Sequence, residues 1–180
     1  AQLDVVNVDN GTDYRQQTMA QIHSYHVPCG ETADLAMAKT FEMLTTSPDE
    51  NPVLHIEARE IKARRKALGV VWFDFKVLCG GPRSQNDYLE IAEQFHTVLV
   101  SDVPYMPPRM SSEARRFTWL VDVMYDRRVK LIMSAEVAPE ALYTEGPLAH
   151  EFVRTVSRIN EMQSIEYLNA DRRLVDTQLV

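Results

Sequence analysis

The stretch TVLVSDV, residues 97–103, leads four apolar or β-branched residues into a serine and then an aspartate where a buried strand should end. A carboxylate in that position can hold Mg2+ against the phosphates of a nucleotide. That chemistry also needs a GxxxxGK[ST] loop to cradle the phosphates, and a further acid to orient water. The sequence has six glycines, and its nearest approach to such a loop, CGGPRSQ at 79–85, lacks the Lys-Ser/Thr pair. Asp102 is followed by Val103 and Pro104. These residues predict a structural Asp102, a strand-end carboxylate capping the turn before PYMPP. A stand-alone magnesium phosphatase with Asp102 as nucleophile would want further carboxylates on the metal, and two residues on there is Pro104 instead.

His23, His26 and Cys29 recur every third residue in HSYHVPC, and imidazole with thiolate suits zinc. A fourth ligand is not evident and no tight cysteine pair is present, so no metal is predicted. The segment reads as a loop with two exposed histidines and a small buried thiol. Cys79 and His96 have the types of a nucleophile and its base, but nothing in their spacing joins them, and burial is the usual state of such a thiol. The arginines are better placed. Arg115 and Arg116 adjoin near the start of one predicted helix, and Arg154 and Arg158 stand four apart on another, so each pair projects its guanidinium groups close together. Their planar fork suits phosphate or carboxylate. The competing reading is a solvated helix face pairing with Glu113, Glu151 or Glu161.

These side chains sit in a chain of 180 residues, 45% hydrophobic and 25% charged, enough for one ordinary domain with a real core. A formal charge of -7 opposes a nucleic-acid footprint, which needs a basic face. No run approaches the roughly 18 apolar residues of a membrane span. The two cysteines, far apart in sequence, suggest reduced thiols more than a disulfide framework. The opening AQLDVVNVD has no initiator Met, no charged n-region and no apolar signal core, as expected of a piece of a longer chain.

Periodicity predicts the elements that must position these groups. Leu3 to Val8 reads as a strand followed by an Asn-Gly turn. ETADLAMAKTFEML reads as a helix capped by Thr32, with Met37, Phe41 and Leu44 inward, and TTSPDENP ends it near residue 50. VLHIEAREIK and VVWFDF read as two antiparallel strands joined by the basic loop ARRKALG, after which LCGGP breaks the pattern. Ser84 opens a helix with Tyr88, Ile91, Ala92 and Phe95 on one face. TVLVSDV, a Ser-capped helix over SSEARRFTWLVDVMYDRR and the apolar VKLIMSA make a parallel strand-helix-strand crossover. HEFVRTVSRINEMQSIEYLNADRR reads as one long terminal helix. The predicted class is α/β, a mixed sheet with parallel crossovers flanked by helices.

In combination, FDFKVLCGGPRSQNDYLEIAEQFHTVLVSDVPYM, EARRFTWLVDVMYDRRVKLIMSAEVAPEALY and FVRTVSRINEMQSIEYL resemble the carboxy-terminal half of the AFG-one-like, AAA-type P-loop ATPases; NGTDYR matches the stretch after that family's core motifs. The resemblance covers nearly the whole chain. It implies that the phosphate loop, the magnesium-binding strand and the polar sensor lie upstream of these residues. Residues 1–50 are then the end of the ATPase core with a helical lid-like segment, and 51–180 a family-specific α/β region. It further implies ATP and Mg2+ as cofactors of the full-length protein and none for this chain alone, which is expected to be inactive by itself. An arginine of the lid region typically reaches the nucleotide phosphates in AAA-type enzymes, so Arg154, Arg158, Arg115 and Arg116 are the candidates. Cys29 matches no family feature.

The activity implied is ATP hydrolysis coupled to remodelling of protein partners, at the division ring in bacterial members or in turnover of respiratory-chain proteins in mitochondrial ones. The expected setting is cytoplasmic and peripheral to the inner membrane, or mitochondrial in a eukaryote, with homo-oligomers formed by the full-length protein. The alternative is a non-catalytic interaction module that docks partners through VPYMPPRM, with Tyr105 and Met106 as the docking candidates.

Overall fold

A computed structural model describes residues 21–171. The strand and turn expected between Leu3 and Arg15 lie outside the described residues. The strands are Tyr25–His26 (β1), Val53–Ile56 (β2), Arg59–Lys62 (β3), Arg65–Ala67 (β4), Val70–Asp74 (β5), Thr97–Val103 (β6) and Lys130–Ala135 (β7). The helices are Glu31–Leu44 (α1), Phe75–Cys79 (α2), Gln85–Gln94 (α3), Ser111–Arg127 (α4), Ala149–Met162 (α5) and Ile165–Asn169 (α6). A five-stranded sheet has the order β1-β7-β6-β5-β4; β1, β7, β6 and β5 run parallel and β4 closes the edge antiparallel. This is the predicted mixed α/β class.

Period-2 alternation divides the central strands between two cores. Val71, Phe73, Val98, Val100, Leu131 and Met133 face the larger core, with Tyr88 and Ile91 of α3, Phe117, Leu120 and Met124 of α4, and Phe152 and Ile159 of α5. Val70, Trp72, Leu99 and Ile132 point to the opposite face, where Met37 and Phe41 of α1 cover them. Both faces are covered, so these strands read as continuous apolar runs. Although both precede residue 50, β1 joins the same sheet as the strands that follow and α1 packs on one face of that sheet.

Several expectations are corrected. Residues 53–62 are not one strand but a hairpin, β2 against β3, turned at Glu57 and Ala58 with φ of 49° and 59°. Such a turn normally advertises itself with Asn-Gly or Asp-Gly, and Glu-Ala hid it. The basic loop contains β4, which pairs with β5 through a turn at Gly69, φ 78°. LCGGP begins inside the short helix α2. Helix α1 is capped by Gly30 at φ 137°, not by Thr32, and α4 by Met110 without a side-chain bond, not by a serine. HSYHVPC is not all loop, since Tyr25–His26 adds a parallel edge strand. The long terminal helix ends at Met162, and Ser164 restarts the chain as α6 by accepting the Tyr167 N–H at 3.1 Å. Ser84 does cap α3, in a capping box closed by Asp87.

Candidate functional site

α4 and α5 pack side by side, Phe117 against Phe152 with ring centroids 6.2 Å apart, and between them carry the four candidate arginines. Three of them have partners. Arg116 Nε donates to the Cys79 carbonyl at 2.7 Å, which ties α4 to the end of α2. Arg158 on α5 is bonded to the Asp122 carboxylate on α4, and its guanidinium carbon lies 4.8 Å from the Tyr125 ring centroid. Arg115 Nη1 stands 3.2 Å from Glu151 Oε2, an exposed pair. Arg154 is exposed and makes no ion pair or hydrogen bond among the described residues. Arg154 and Arg115 line one cavity of about 440 Å3 together with Trp119, Asp122, His150 and Glu151. Of the four arginines, these two are brought together. Arg158 is held as a bridge between helices, and Arg116 points toward α2.

The carboxyl ends of the parallel strands form a second cluster. Asp102 sits at an irregularity in the β6–β7 ladder, with φ of 64°. Its N–H donates to Ser134 Oγ at 3.0 Å, and its carboxylate lies 3.0 Å from Arg64 Nη2. The same guanidinium bonds Asp74 at the end of β5 at 2.6 Å and Asp34 of α1 at 3.0 Å, over the Trp72 ring at 5.3 Å. Asp102 therefore pairs with a cation of the chain instead of capping the PYMPP turn. Arg64 escaped sequence reasoning because it stands in ARRKALG, where clustered basic residues resemble a solvated loop.

Cys29 is half-buried; burial, then Asp102 and Glu136, push its thiol pKa up. Cys79 is fully buried beside Tyr88, and burial raises it to about 12. Cys79 follows β5 at the carboxyl edge of the sheet, whereas His96 precedes β6 at the opposite edge, its Nδ1 2.8 Å from Thr97 Oγ1; the fold separates them. Burial lowers the His26 pKa. Among the described residues no three His, Cys, Asp or Glu side chains converge to hold a metal. Of the two docking candidates, Tyr105 is exposed, while Met106 is buried in the larger core and its side chain is withheld from any partner. Among the described residues no helix is long and apolar enough to cross a membrane.

The family model described as AFG1-like ATPase matches residues 1–171. The chain is 42% identical over 169 residues to the cell division protein ZapE of Escherichia coli (strain K12), covering 93% of this chain and 45% of that protein. It is 30% identical over 205 residues to lactation elevated protein 1 homolog B of Danio rerio, covering 93% of this chain and 41% of that protein. No solved structure matches. The chain thus spans less than half the length of these relatives, and its fold and motifs agree with the match along nearly all of it: it belongs to the AFG1-like ATPase family.

Proposed function

We propose that this chain is the carboxy-terminal part of a protein that binds and hydrolyses ATP with Mg2+ and couples hydrolysis to remodelling of protein partners, and that the chain alone turns over no nucleotide. Phosphoryl transfer depends on positioned cations around the phosphates. The observation that carries the reading is the division of labour among the arginines. Arg158 and Arg116 are held by Asp122 and the Cys79 carbonyl, which leaves Arg154 extended to solvent beside Arg115. Arg154 is the guanidinium available to donate to phosphate oxygens of a nucleotide bound elsewhere in the full-length protein or in a neighbouring copy. Similarity to a bacterial cell division protein supports a part in cell division; partners at the division ring and a cytoplasmic, membrane-peripheral setting, or a mitochondrial one in a eukaryote, belong to the proposal.

Arg154→Ala in the full-length protein is expected to lower kcat for ATP at least tenfold while the melting midpoint stays within about 1 °C, because the residue touches nothing that holds the fold. Unchanged turnover would sink this assignment.

A second reading, a docking module without catalysis, is favoured by the exposed Tyr105 ring in the VPYMPPRM connection. Tyr105→Ala would then weaken partner capture with ATP turnover unchanged.

A further inference from the structure

α4 and α5 run parallel at a constant offset. Arg115 faces Glu151, Asp122 faces Arg158, and Tyr125 donates its hydroxyl to Glu161 at 2.7 Å, each pair 36 residues apart. Thr155 adds a hydroxyl bond to Thr118 at 3.4 Å, so each turn of the seam carries a polar rung. The rungs are not equally held. Arg158 and Asp122 are mostly covered, whereas the side chains of Arg115 and Glu151 are 41% and 61% exposed. Beyond that rung, toward the amino ends, the ladder stops, because the same offset sets Leu148 opposite Ser112.

A cavity of about 360 Å3 opens where the ladder stops. α4 lines it with Ser112, Arg115, Arg116 and Trp119, and the segment entering α5 lines it with Pro147 and Leu148. Its walls are fixed. Gly146 takes φ of 129° and packs so closely that a Cβ there would lie 2.1 Å from Tyr143 Oη and 3.3 Å from Pro108 Cα. The Leu148 N–H donates to the same Tyr143 hydroxyl at 3.4 Å. Arg116 is anchored through Nε to the Cys79 carbonyl, with Glu113 3.9 Å from its Nη2. Trp119 is partly buried against the larger core.

The cavity thus combines an indole and an apolar corner with two guanidinium groups, on a chain whose net charge is -7. Most of such a chain repels an acidic protein, and this patch attracts one. Carboxylates match the planar fork of arginine, and an aromatic or aliphatic side chain matches Trp119, Pro147 and Leu148. The exposed pair of Arg115 with Glu151 costs little to exchange for an incoming carboxylate.

We propose that this cavity docks an acidic segment of a partner protein, an apolar side chain entering beside Trp119 and Leu148 while flanking carboxylates bind Arg115 and Arg116. The docking surface rests on the proposed function only in that the parent protein acts on other proteins, and it supplies the chemistry of the partner. Arg154 lines the neighbouring cavity, which shares Arg115 and Trp119, and keeps the part given to it above.

The test is fluorescence anisotropy with the purified full-length protein, without nucleotide, and a labelled pentapeptide Glu-Glu-Phe-Glu-Glu blocked at both ends. Binding is expected to saturate below about 1 mM and to weaken as salt is raised. Arg115→Glu, an exposed charge reversal that leaves the core alone, and Trp119→Ala should each weaken it at least about fivefold. Glu-Glu-Ala-Glu-Glu should bind at least about fivefold more weakly, and Lys-Lys-Phe-Lys-Lys should not saturate. Absence of saturation, or equal binding by wild type and both variants, would overturn the docking surface. So would displacement of the peptide by inorganic tripolyphosphate at concentrations below the peptide's own Kd, since the site would then prefer phosphate. Should Trp119→Ala fail to fold, Arg115→Glu and the two control peptides decide alone. Arg154→Ala should bind the peptide within about twofold. A loss as large as that of Arg115→Glu would move the acid into the neighbouring cavity and reject the placement. With no nucleotide present, peptide binding stands or falls apart from ATP turnover, and unchanged turnover in Arg154→Ala counts against the other assignment alone.

Discussion

The Arg158 guanidinium on α5 is bonded to the Asp122 carboxylate on α4 while it lies over the Tyr125 ring of that same helix, so one side chain joins two helices by charge and by stacking. Replacing it with alanine strands Asp122 and removes the stack. Arg158→Ala is expected to lower the unfolding free energy by about 1 to 2 kcal/mol, the pair being only partly shielded from water. Urea titration of wild type and variant measures it. A midpoint unchanged at constant slope would show that the bridge contributes nothing.

Asp87 is a buried carboxylate with three donors. It accepts the Ser84 N–H at 2.6 Å and the Ser84 hydroxyl at 3.1 Å, and pairs with Arg59 of the β2–β3 hairpin at 2.7 Å. Asp87→Ala should lose the cap and leave a backbone N–H without its partner, at about 2 kcal/mol. Asp87→Asn keeps an acceptor oxygen and should lose clearly less. Equal losses in denaturant unfolding would contradict the capping account.

The two thiols should differ in reactivity. With its pKa pushed up to about 12 inside the core, Cys79 has almost no thiolate at neutral pH, whereas Cys29 is partly open although burial and Asp102 raise it too. A disulfide reagent at pH 8 should label one cysteine slowly in the folded protein and two after denaturation. Mass spectrometry should place the first label on Cys29; early labelling of Cys79 would refute the packing described around it.

Burial holds the His26 imidazole below its ordinary pKa of 6.5. Between the two values the unfolded chain binds more protons than the folded one, so stability falls as the pH drops below about 6.5 and is level above it. The His23 backbone moderates the shift and the neighbouring His23 imidazole adds to it. Denaturant midpoints from pH 7.5 down to 5 should fall less steeply in His26→Gln than in wild type. Parallel slopes would mean His26 titrates normally.

Gly69 turns β4 into β5 at φ 78°, and a Cβ there would come within 2.6 Å of the His96 ring. Gly69→Ala is therefore expected to lose at least about 1 kcal/mol from backbone strain, before the ring moves aside. Thermal unfolding decides it, and a stabilised variant would contradict the turn.

Much of the architecture could be read from the residues because it depends on local repetition. The 3.6-residue spacing of Tyr88, Ile91 and Phe95, and of Phe117, Leu120 and Met124, marks α3 and α4 whatever they pack against, and the apolar runs of β6 and β7 mark strands covered on both faces. The family motifs were equally local, being stretches of defined order. What depended on neighbours distant in sequence was not readable. Nothing in ARRKALG indicates that Arg64 would meet Asp34, Asp74 and Asp102, because those three come from α1, β5 and β6, joined only when the sheet forms. Spacing placed Arg154 and Arg158 on one face alike, yet Asp122 and Tyr125 on another helix hold Arg158, while Arg154 is left in water. Sequence by itself determined the long periodic elements α3, α4, β6 and β7 and the family resemblance, but not the short edge strands β1 and β4, the β2–β3 hairpin or the break before α6. Tertiary structure decided which charges find partners, because pairing is a property of distances between elements and periodicity carries no information about them.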